Sequence, residues 1–367
     1  MKIVEIKECR EKLQKLGRVY EGAKQELFID WTCSGLRFHF QGTCLLAELG
    51  ALPSDEYENP FDKASPSRKT WPYAAVFLDD QEEPVSYFEV KNSQKNYLLY
   101  SSETEEAHTI TIRKMSENQK GKLSIKKFIT DGVIESAKDM KSKLKIEFIG
   151  DSITCGFGNL SNDRNRLFYS ADENGWMSHA AVAARRLEAE FSMISCSGIA
   201  ASKGIGNISW GLPSMPELYP YTDRMLEEQQ GKSTYTEWDF NGNKQDIIVL
   251  NLGTNDISLI EFNGDIAAGI QRFEEDYAQL LKLLREKNGA EPWIICALGS
   301  MDYYLYDTIE KVVQHFMGEN GDHRISCFKY GRIRMTEGFG ACAHPSLATH
   351  LRMGEELAAY IEALQYK

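Results

Sequence analysis

Short apolar runs alternate with amphipathic stretches from about residue 144 onward, and this alternation limits the folds open to the chain. The apolar runs are KIEFIG at 145–150, SMISCSG at 192–198, DIIVLNLG at 246–253, WIICALGS at 293–300 and RISCFKY at 324–330. Apolar residues recur at helical spacing over 176–191, 265–287, 308–319 and 347–365. The pattern predicts a parallel sheet covered by helices on both faces, which is a three-layer α/β domain.

The first 140 residues show a different pattern, because strand-like runs follow one another without helical spacing between them. Examples are LRFHF at 36–40, YAAVFLDD at 73–80 and HTITIRKMS at 108–116. Many short strands in succession predict an antiparallel β-sandwich, which we interpret as a jelly roll. A chain of 367 residues is long enough for two cores. We therefore predict a β-sandwich domain over residues 1–140 and an α/β domain over residues 141–367.

The overall charge narrows the range of partners. Lys and Arg total 42 against 54 Asp and Glu, a formal net charge of −12, so the average field repels nucleic-acid phosphates and anionic lipid surfaces. No run is apolar enough to span a membrane, and scattered charges interrupt the first residues, unlike a secretory signal. We expect a cytoplasmic protein with no nucleic-acid or membrane partner. The oligomeric state is left open.

Cysteine and histidine usage gives no support for a metal site. The eight cysteines, at positions 9, 33, 44, 155, 196, 296, 327 and 342, include no CxxC pair, and several lie in apolar runs. We interpret them as reduced core thiols. Neither an HExxH pattern nor a cluster of histidines is present. The sequence therefore predicts no bound metal.

Four loops at predicted strand ends carry residues that can do chemistry. Ser152 follows the first strand of the α/β domain, Gly198 the second and Asn255 the third, while His344 lies between the last strand and the final helix. Ligands of open α/β sheets bind in the crevice beyond the carboxyl ends of the strands. We therefore expect these four residues to share one crevice.

Together these residues fit acyl transfer to a serine. The Ser152 hydroxyl needs a base to take its proton, and the imidazole of His344 can be that base. Negative charge on the acyl oxygen needs donors, for which the N–H groups of Ser152 and Gly198 and the side-chain amide of Asn255 are candidates. Singly, these motifs also fit a surface turn, a helix cap and a helix entry. Their order and their placement at strand ends favour the catalytic interpretation.

The same motifs resemble a known family. GDSITCG at 150–156, SG at 197–198, GTND at 253–256 and HPS at 344–346 look like the four sequence blocks of the SGNH (GDSL-type) hydrolases, in order. Upstream, DWTCSGLRFHFQGTCL at 30–45 and HTITIRKMSE at 108–117 are similar to carbohydrate esterase family two, in which a jelly roll precedes the hydrolase domain.

The resemblance implies a serine acetyl esterase that needs no cofactor and removes O-acetyl groups from acetylated hemicellulose oligosaccharides, either manno- or xylo-oligosaccharides. By it, Ser152 is the nucleophile, His344 the base, and Ser152, Gly198 and Asn255 form the oxyanion hole. Two alternatives stay open. One is an SGNH esterase that acts on lipid or thioester acyl groups, and the other is a non-catalytic sugar-binding protein.

The sequence departs from the family pattern at the residue that orients the histidine. SGNH enzymes usually carry an Asp three residues before the His, and triad members of the sugar esterase family carry one two residues before it. Those positions are Ala341 and Cys342 here. Some members of the esterase family are Ser–His dyads. We therefore predict a dyad in which a backbone carbonyl holds the other imidazole nitrogen.

Other polar residues near the motifs receive structural interpretations. We expect Asp151 and Asp256 to bond loop backbone or to cap helices, and His179 and His350 to be packing or surface residues. Aromatic residues that can serve as a sugar platform are Trp210, Tyr303, Tyr304 and Tyr306. None of them is assigned to substrate binding, and a role of the N-terminal domain in that binding is left open.

Overall fold

A computed structural model describes residues 1–58, 62, 64–138, 142 and 144–364. The chain divides into two compact units, Met1–Tyr57 with Ser67–Lys141 and Glu58–Pro66 with Ser142–Lys367. The predicted boundary at residue 140 lies outside the described residues, as does residue 365 at the end of the last predicted helix. Within the described ranges, no helix is both long enough and apolar enough to cross a bilayer.

The N-terminal unit is built on antiparallel strands, as predicted. They are β1 (Lys2–Glu5), β2 (Gln14–Leu16), β3 (Tyr20–Glu21), β4 (Leu27–Phe28), β5 (Gly35–Leu52), β6 (Ser54–Tyr57), β7 (Ser67–Thr70), β8 (Tyr73–Leu78), β9 (Ser86–Glu89), β10 (Asn96–Lys114), β11 (Lys122–Thr130) and β12 (Val133–Glu135), with helix α1 (Ile6–Cys9) after β1. The main sheet has the order β3-β4-β11-β5-β10-β8-β9, with β1 beside β11 and with β2 and β12 beside β5. The jelly-roll topology stays a prediction.

The long strands β5 and β10 organise the core of this unit. On β5 the core side chains sit at even positions from Leu36 to Phe40 and at odd positions from Leu45 to Ala51. The register between β5 and β10 shifts at this point, between Ser101 and Glu106 of β10. An irregularity of this kind turns the following side chains to the other face of a strand. Both halves of β5 therefore contribute to one core.

The C-terminal unit is the predicted parallel α/β domain. Its strands are β13 (Lys145–Gly150), β14 (Glu190–Ser195), β15 (Ile247–Asn251), β16 (Trp293–Leu298) and β17 (Ile325–Lys329). Its helices are α2 (Ser152–Cys155), α3 (His179–Arg186), α4 (Ile205–Trp210), α5 (Met215–Leu218), α6 (Arg224–Gln229), α7 (Thr254–Asn263), α8 (Ile266–Asn288), α9 (Tyr306–Asn320) and α10 (Leu347–Leu364). The strands pair in parallel, and β15 is buried throughout, which is typical of a strand covered on both faces.

The strand order explains where a crevice forms. In the order β14-β13-β15-β16-β17, the chain leaves β13 toward β14 on one side and continues from β15 on the other side. Connections that diverge in this way open a crevice at the carboxyl ends of the central strands. The loops after β13, β14 and β15 carry Ser152, Gly198 and Asn255 to that edge.

Candidate active site

Ser152 is the first residue of α2, a single helical turn that begins directly after β13. Asp151 is its N-cap, and the Asp151 carboxylate accepts the N–H of Ile153 at 3.0 Å. A Cβ at Gly150 would lie 2.0 Å from the Thr154 hydroxyl oxygen, so the tight turn between strand and helix requires glycine there. Ser152 is 8% exposed.

His344 faces this serine. Its Nε2 lies 2.9 Å from the Ser152 Oγ, and its Nδ1 lies 3.2 Å from the carbonyl oxygen of Cys342. Because a carbonyl only accepts hydrogen bonds, Nδ1 carries the proton and Nε2 presents a lone pair to the serine hydroxyl. The structure thus places a carbonyl at the imidazole nitrogen where the sequence lacks a carboxylate. Ala341 is buried, and the Cys342 thiol donates to the Arg166 carbonyl at 3.4 Å.

An aromatic side chain packs against the imidazole of His344. The Phe157 ring lies 4.3 Å from the His344 ring, centroid to centroid, and stacks on Phe168 at 4.4 Å. Burial lowers the pKa of His344 to about 4, although the carbonyl of Cys342 acts in the opposite direction. The imidazole is therefore neutral, as a base must be, down to acidic pH. Sequence reasoning missed Phe157, whose signal was its place directly after the glycine that ends the serine turn.

Asn255 connects the loops of the other two predicted residues. It lies in the first turn of α7, and its side-chain amide donates to the carbonyl of Ile199 at 2.9 Å and to Asp151 Oδ2 at 3.2 Å. Ile199 follows Gly198, and Asp151 precedes Ser152. Both amide hydrogens thus have acceptors, so an acyl oxygen bound by Asn255 takes the place of Asp151 Oδ2.

Gly198 has a conformation that suits glycine, with φ at +82°. A Cβ at this position would lie 2.1 Å from the indole ring of Trp210. The structure therefore gives a reason for glycine that the sequence did not, since Trp210 packs against this residue. Among the described residues, none accepts a hydrogen bond from the N–H of Gly198 or Ser152. Both groups are available to a ligand.

Two buried aspartates hold these loops in place, as the sequence analysis expects. Asp151 caps α2, and Asp256 accepts the N–H groups of Ala201 at 3.2 Å and Ser202 at 2.8 Å. Burial raises the pKa of each carboxyl to about 7. For Asp151, the charge of Asp302 acts in the same direction. Near neutral pH a large fraction of each group is therefore uncharged.

The tyrosines proposed as a sugar platform differ in their surroundings. The Tyr303 hydroxyl donates to the Tyr330 carbonyl at 2.8 Å, and Tyr306 is 8% exposed, so both pack within the domain. Tyr304 is 72% exposed. In the part of the chain that the structure describes, no group of three or more His, Cys, Asp or Glu side chains is arranged to hold a metal ion.

The two other histidines near the motifs are buried packing residues. His179 begins α3 and His350 lies in α10. The His179 backbone N–H donates to His350 Nδ1 at 3.2 Å, and the two rings stack with an interplanar angle of 6°. Burial lowers the pKa of His179, and the carbonyl of Ile153, the residue after the serine, acts in the opposite direction from beside the ring. The pair therefore supports the serine turn from behind.

Two protein-family models match the chain. Residues 148–350 match the model of the GDSL-like Lipase/Acylhydrolase family. The chain belongs to the GDSL-like lipase/acylhydrolase family. Residues 15–135 match the model described as Carbohydrate esterase 2 N-terminal. The family and the N-terminal module suggested by the sequence blocks are thereby confirmed.

This chain matches only part of the length of two curated relatives. The cellulase/esterase CelE of Acetivibrio thermocellus is 30% identical over 286 residues, which are 76% of this chain and 33% of that protein. An acetylxylan esterase / glucomannan deacetylase of Cellvibrio japonicus is 26% identical over 226 residues, 59% of each chain. The chain thus spans 33% and 59% of the lengths of these two relatives.

Solved structures match the chain over nearly its full length. A family two carbohydrate esterase from Clostridium thermocellum, in complex with cellohexaose, is 26% identical with a TM-score of 0.79, covering 96% of this chain and 99% of that one. Est2A, an acetyl xylan esterase from Butyrivibrio proteoclasticus, gives a TM-score of 0.82 over 100% and 98% of the two chains. At 20% identity, Est2A supports the fold alone.

Proposed function

We propose that the protein is a serine carbohydrate acetyl esterase that removes O-acetyl groups from acetylated hemicellulose oligosaccharides. Manno- and xylo-oligosaccharides are the substrate class. The observation that carries the proposal is the 2.9 Å contact between Ser152 Oγ and His344 Nε2 at the carboxyl edge of the sheet. Membership of the GDSL-like family and the Carbohydrate esterase 2 N-terminal match support it.

The mechanism follows from the placement of the polar groups. His344 Nε2 takes the hydroxyl proton while Ser152 Oγ attacks the acetyl carbonyl carbon. The N–H groups of Ser152 and Gly198 and the Asn255 amide donate to the resulting oxyanion. His344 then returns the proton to the sugar oxygen, which leaves as an alcohol, and the acetyl group stays on Ser152. Water attacks this ester with His344 again as base. His344 returns the proton to Ser152 Oγ as the bond between Oγ and the acyl carbon breaks, and acetate is released.

The carbonyl behind the histidine makes this dyad different from a triad. The Nδ1–H group donates to the Cys342 carbonyl, which carries only a partial negative charge and stabilises an imidazolium less than a carboxylate does. The lowered pKa of His344 also makes it a weak base. Stabilisation of the oxyanion therefore supplies a larger share of the rate in this site.

The direct test is acetate release from acetylated manno- and xylo-oligosaccharides by wild type and by Ser152→Ala. Loss of the nucleophile lowers the rate by about 10³-fold or more and leaves thermal unfolding unchanged. Ser233→Ala, at an exposed position, is the matched control and keeps full activity. Full activity in Ser152→Ala contradicts the assignment of the nucleophile. Mass spectrometry of the products identifies the acetylated position.

A second measurement separates the alternatives. The proposal predicts that p-nitrophenyl acetate is hydrolysed faster than p-nitrophenyl octanoate. A clear preference for octanoate contradicts the sugar acetate and favours lipid or thioester substrates. If calorimetry shows that the protein binds oligosaccharides and the same preparation releases no acetate, the result contradicts the esterase and favours a sugar-binding protein.

We also propose that the enzyme acts in the cytoplasm on imported oligosaccharides. In the described part of the chain the eight cysteines form no disulfide, which fits a reducing compartment. Cell fractionation tests this location. Recovery of the protein in the cytosolic fraction supports the proposal, and recovery from the culture medium contradicts it.

A further inference from the structure

The segment between β17 and α10, which carries His344, is tied to α10 by a bidentate ion pair. Arg352 Nε lies 2.7 Å from Glu337 Oε1, and Arg352 Nη2 lies 2.9 Å from Glu337 Oε2. Each side chain is 13% exposed. The hydrogen bonds from Arg352 lower the pKa of Glu337 to about 2, so both groups are charged at neutral pH. Such a pair fixes orientation as well as distance.

Arg352 also holds the beginning of the segment. Its Nη2 donates to the carbonyl of Arg332 at 2.8 Å, and its Nη1 donates to Glu356 Oε1 at 2.7 Å. The other oxygen of Glu356 accepts the N–H of Gly331 at 2.9 Å. The guanidinium therefore binds the first residues after β17 and the middle of the segment at the same time.

Glu337 holds the end of the segment. The Ser346 hydroxyl donates to the Glu337 carbonyl oxygen at 2.7 Å, and the Thr349 hydroxyl donates to Glu337 Oε2 at 2.9 Å. Both hydroxyls come from the residues that follow His344 and enter α10. Glu337, which precedes His344 in the chain, is thus bonded to residues that follow it.

The turn directly before the histidine has an unfavourable backbone. Cys342 lies at φ 50° and ψ 38°, and Ala343 lies at φ 58°. Non-glycine residues keep such conformations only where the surrounding structure holds them. In front, the Cys342 N–H donates to the Arg166 carbonyl at 3.1 Å, and the Ala343 N–H donates to the Arg164 carbonyl at 3.0 Å. This turn directs the Cys342 carbonyl at His344 Nδ1.

We propose that Glu337 and Arg352, here called the Glu337–Arg352 clamp, are positioning residues for the base. The clamp holds the turn from behind so that the Cys342 carbonyl meets the imidazole of His344. It acts through the backbone where a triad acts through a carboxylate. The proposal rests on the proposed function, since it assigns the clamp to the same Ser152–His344 pair.

The clamp matters because, among the described residues, the imidazole of His344 is bonded to the Cys342 carbonyl and the Ser152 hydroxyl and to no charged side chain. A carboxylate attracts an imidazolium over some range of positions, whereas a neutral carbonyl must be placed accurately to orient the ring. A displacement of about 1 Å in a reacting group can lower the rate by about 10²-fold. Loosening the clamp therefore lowers kcat and has little effect on KM.

The experiment compares Arg352→Gln and Arg352→Lys with wild type on p-nitrophenyl acetate. Arg352→Gln lowers kcat by about 10- to 100-fold, with KM within about 2-fold of wild type. Arg352→Lys keeps the charge but loses the bidentate geometry, so its kcat lies between those of wild type and Arg352→Gln. Glu362→Gln is the matched control, because Glu362 lies on α10 as Arg352 does and forms an exposed ion pair with Arg186 of α3. Loss of this pair keeps wild-type kcat.

A second readout does not depend on turnover. ¹⁵N NMR of the His344 imidazole reports which ring nitrogen carries the proton. In Arg352→Lys the imidazole is no longer purely in the Nδ1–H form. Wild-type kcat with an unchanged His344 spectrum in folded Arg352→Lys overturns the clamp. If Arg352→Gln fails to fold, Arg352→Lys decides alone. If the wild type releases no acetate, the esterase proposal fails, and the NMR comparison still tests the clamp.

Discussion

Ser152 and His344 meet at 2.9 Å, but the structure holds them in different ways. Ser152 stands in the first turn of α2, directly after a buried strand, and its neighbour Asp151 caps that turn. His344 follows two non-glycine residues at positive φ, in a turn bonded to Arg164 and Arg166. Local rules thus place the nucleophile and tertiary contacts place the base. The position of His344 is therefore more sensitive than that of Ser152 to substitutions far away in sequence.

The largest expected effect is the loss of the base itself. His344→Ala lowers kcat for acetate release by about 10³- to 10⁴-fold, because the hydroxyl of Ser152 keeps its proton. Residues that act as a unit are not additive, so the Ser152→Ala/His344→Ala double variant is no slower than either single variant. Steady-state kinetics on p-nitrophenyl acetate measures all three. Losses that multiply in the double variant contradict a shared proton transfer.

The next effect concerns the oxyanion donors. Gly198→Ala lowers kcat by about 10²-fold, since a Cβ would lie 2.1 Å from the Trp210 ring and displace the Gly198 N–H. Gly231 is the matched control, because its φ is +79° and nothing lies within 4 Å of an added Cβ. Gly231→Ala carries the same backbone strain and keeps its kcat. Equal losses in both variants mean that strain alone explains the effect.

Much of the structure around the nucleophile could be predicted from the sequence. The five strands and the helices α3, α8, α9 and α10 of the α/β domain follow from apolar periodicity, and Ser152, Gly198 and Asn255 each follow the end of a strand. These signals are local, because a strand, a glycine turn and a capping residue are adjacent in the chain. The sequence alone therefore predicts that these loops share one crevice.

The surroundings of the base could not be predicted in the same way. The pairing of Glu337 with Arg352 joins the segment before α10 to the helix itself, and charge spacing alone does not select that partner. Positive φ at Cys342 and Ala343 has no propensity signal, since neither residue favours that conformation. The contact of Phe157 with the imidazole arises only from the tertiary fold.

A smaller effect tests the support behind the serine turn. Burial lowers the pKa of His179 to about 3, so the folded protein keeps this imidazole neutral while the unfolded chain protonates it. Between about pH 6.5 and pH 3 the unfolded state binds the extra proton, and the free energy of unfolding falls by up to about 1.4 kcal/mol per pH unit as pH decreases. Above that window the contribution is constant.

The His179→Gln variant removes this dependence. Chemical denaturation at several pH values shows a smaller fall in its free energy of unfolding on acidification than in wild type. His323→Gln, at an exposed position, serves as the control for the loss of an imidazole. Identical slopes for His179→Gln and wild type show that His179 is not held neutral by the fold.

The smallest effect concerns the strained turn. Ala343→Gly relieves the backbone at φ 58°, and the gain nearly offsets the entropy that glycine adds to the unfolded chain. The free energy of unfolding changes by less than about 0.5 kcal/mol. Ala359→Gly, at an exposed position of α10, costs about 1 kcal/mol. Equal losses at both positions contradict the strain assigned to the turn.

The most direct measurement is the ¹⁵N NMR titration of the His344 imidazole, assigned by the signals lost in His344→Gln. A base held by the Cys342 carbonyl carries its proton on Nδ1 and has a pKa of about 4, well below the ordinary histidine value. An imidazole that is protonated on Nε2, or that titrates at or above about 6.5 as a free histidine does, contradicts the carbonyl-held dyad.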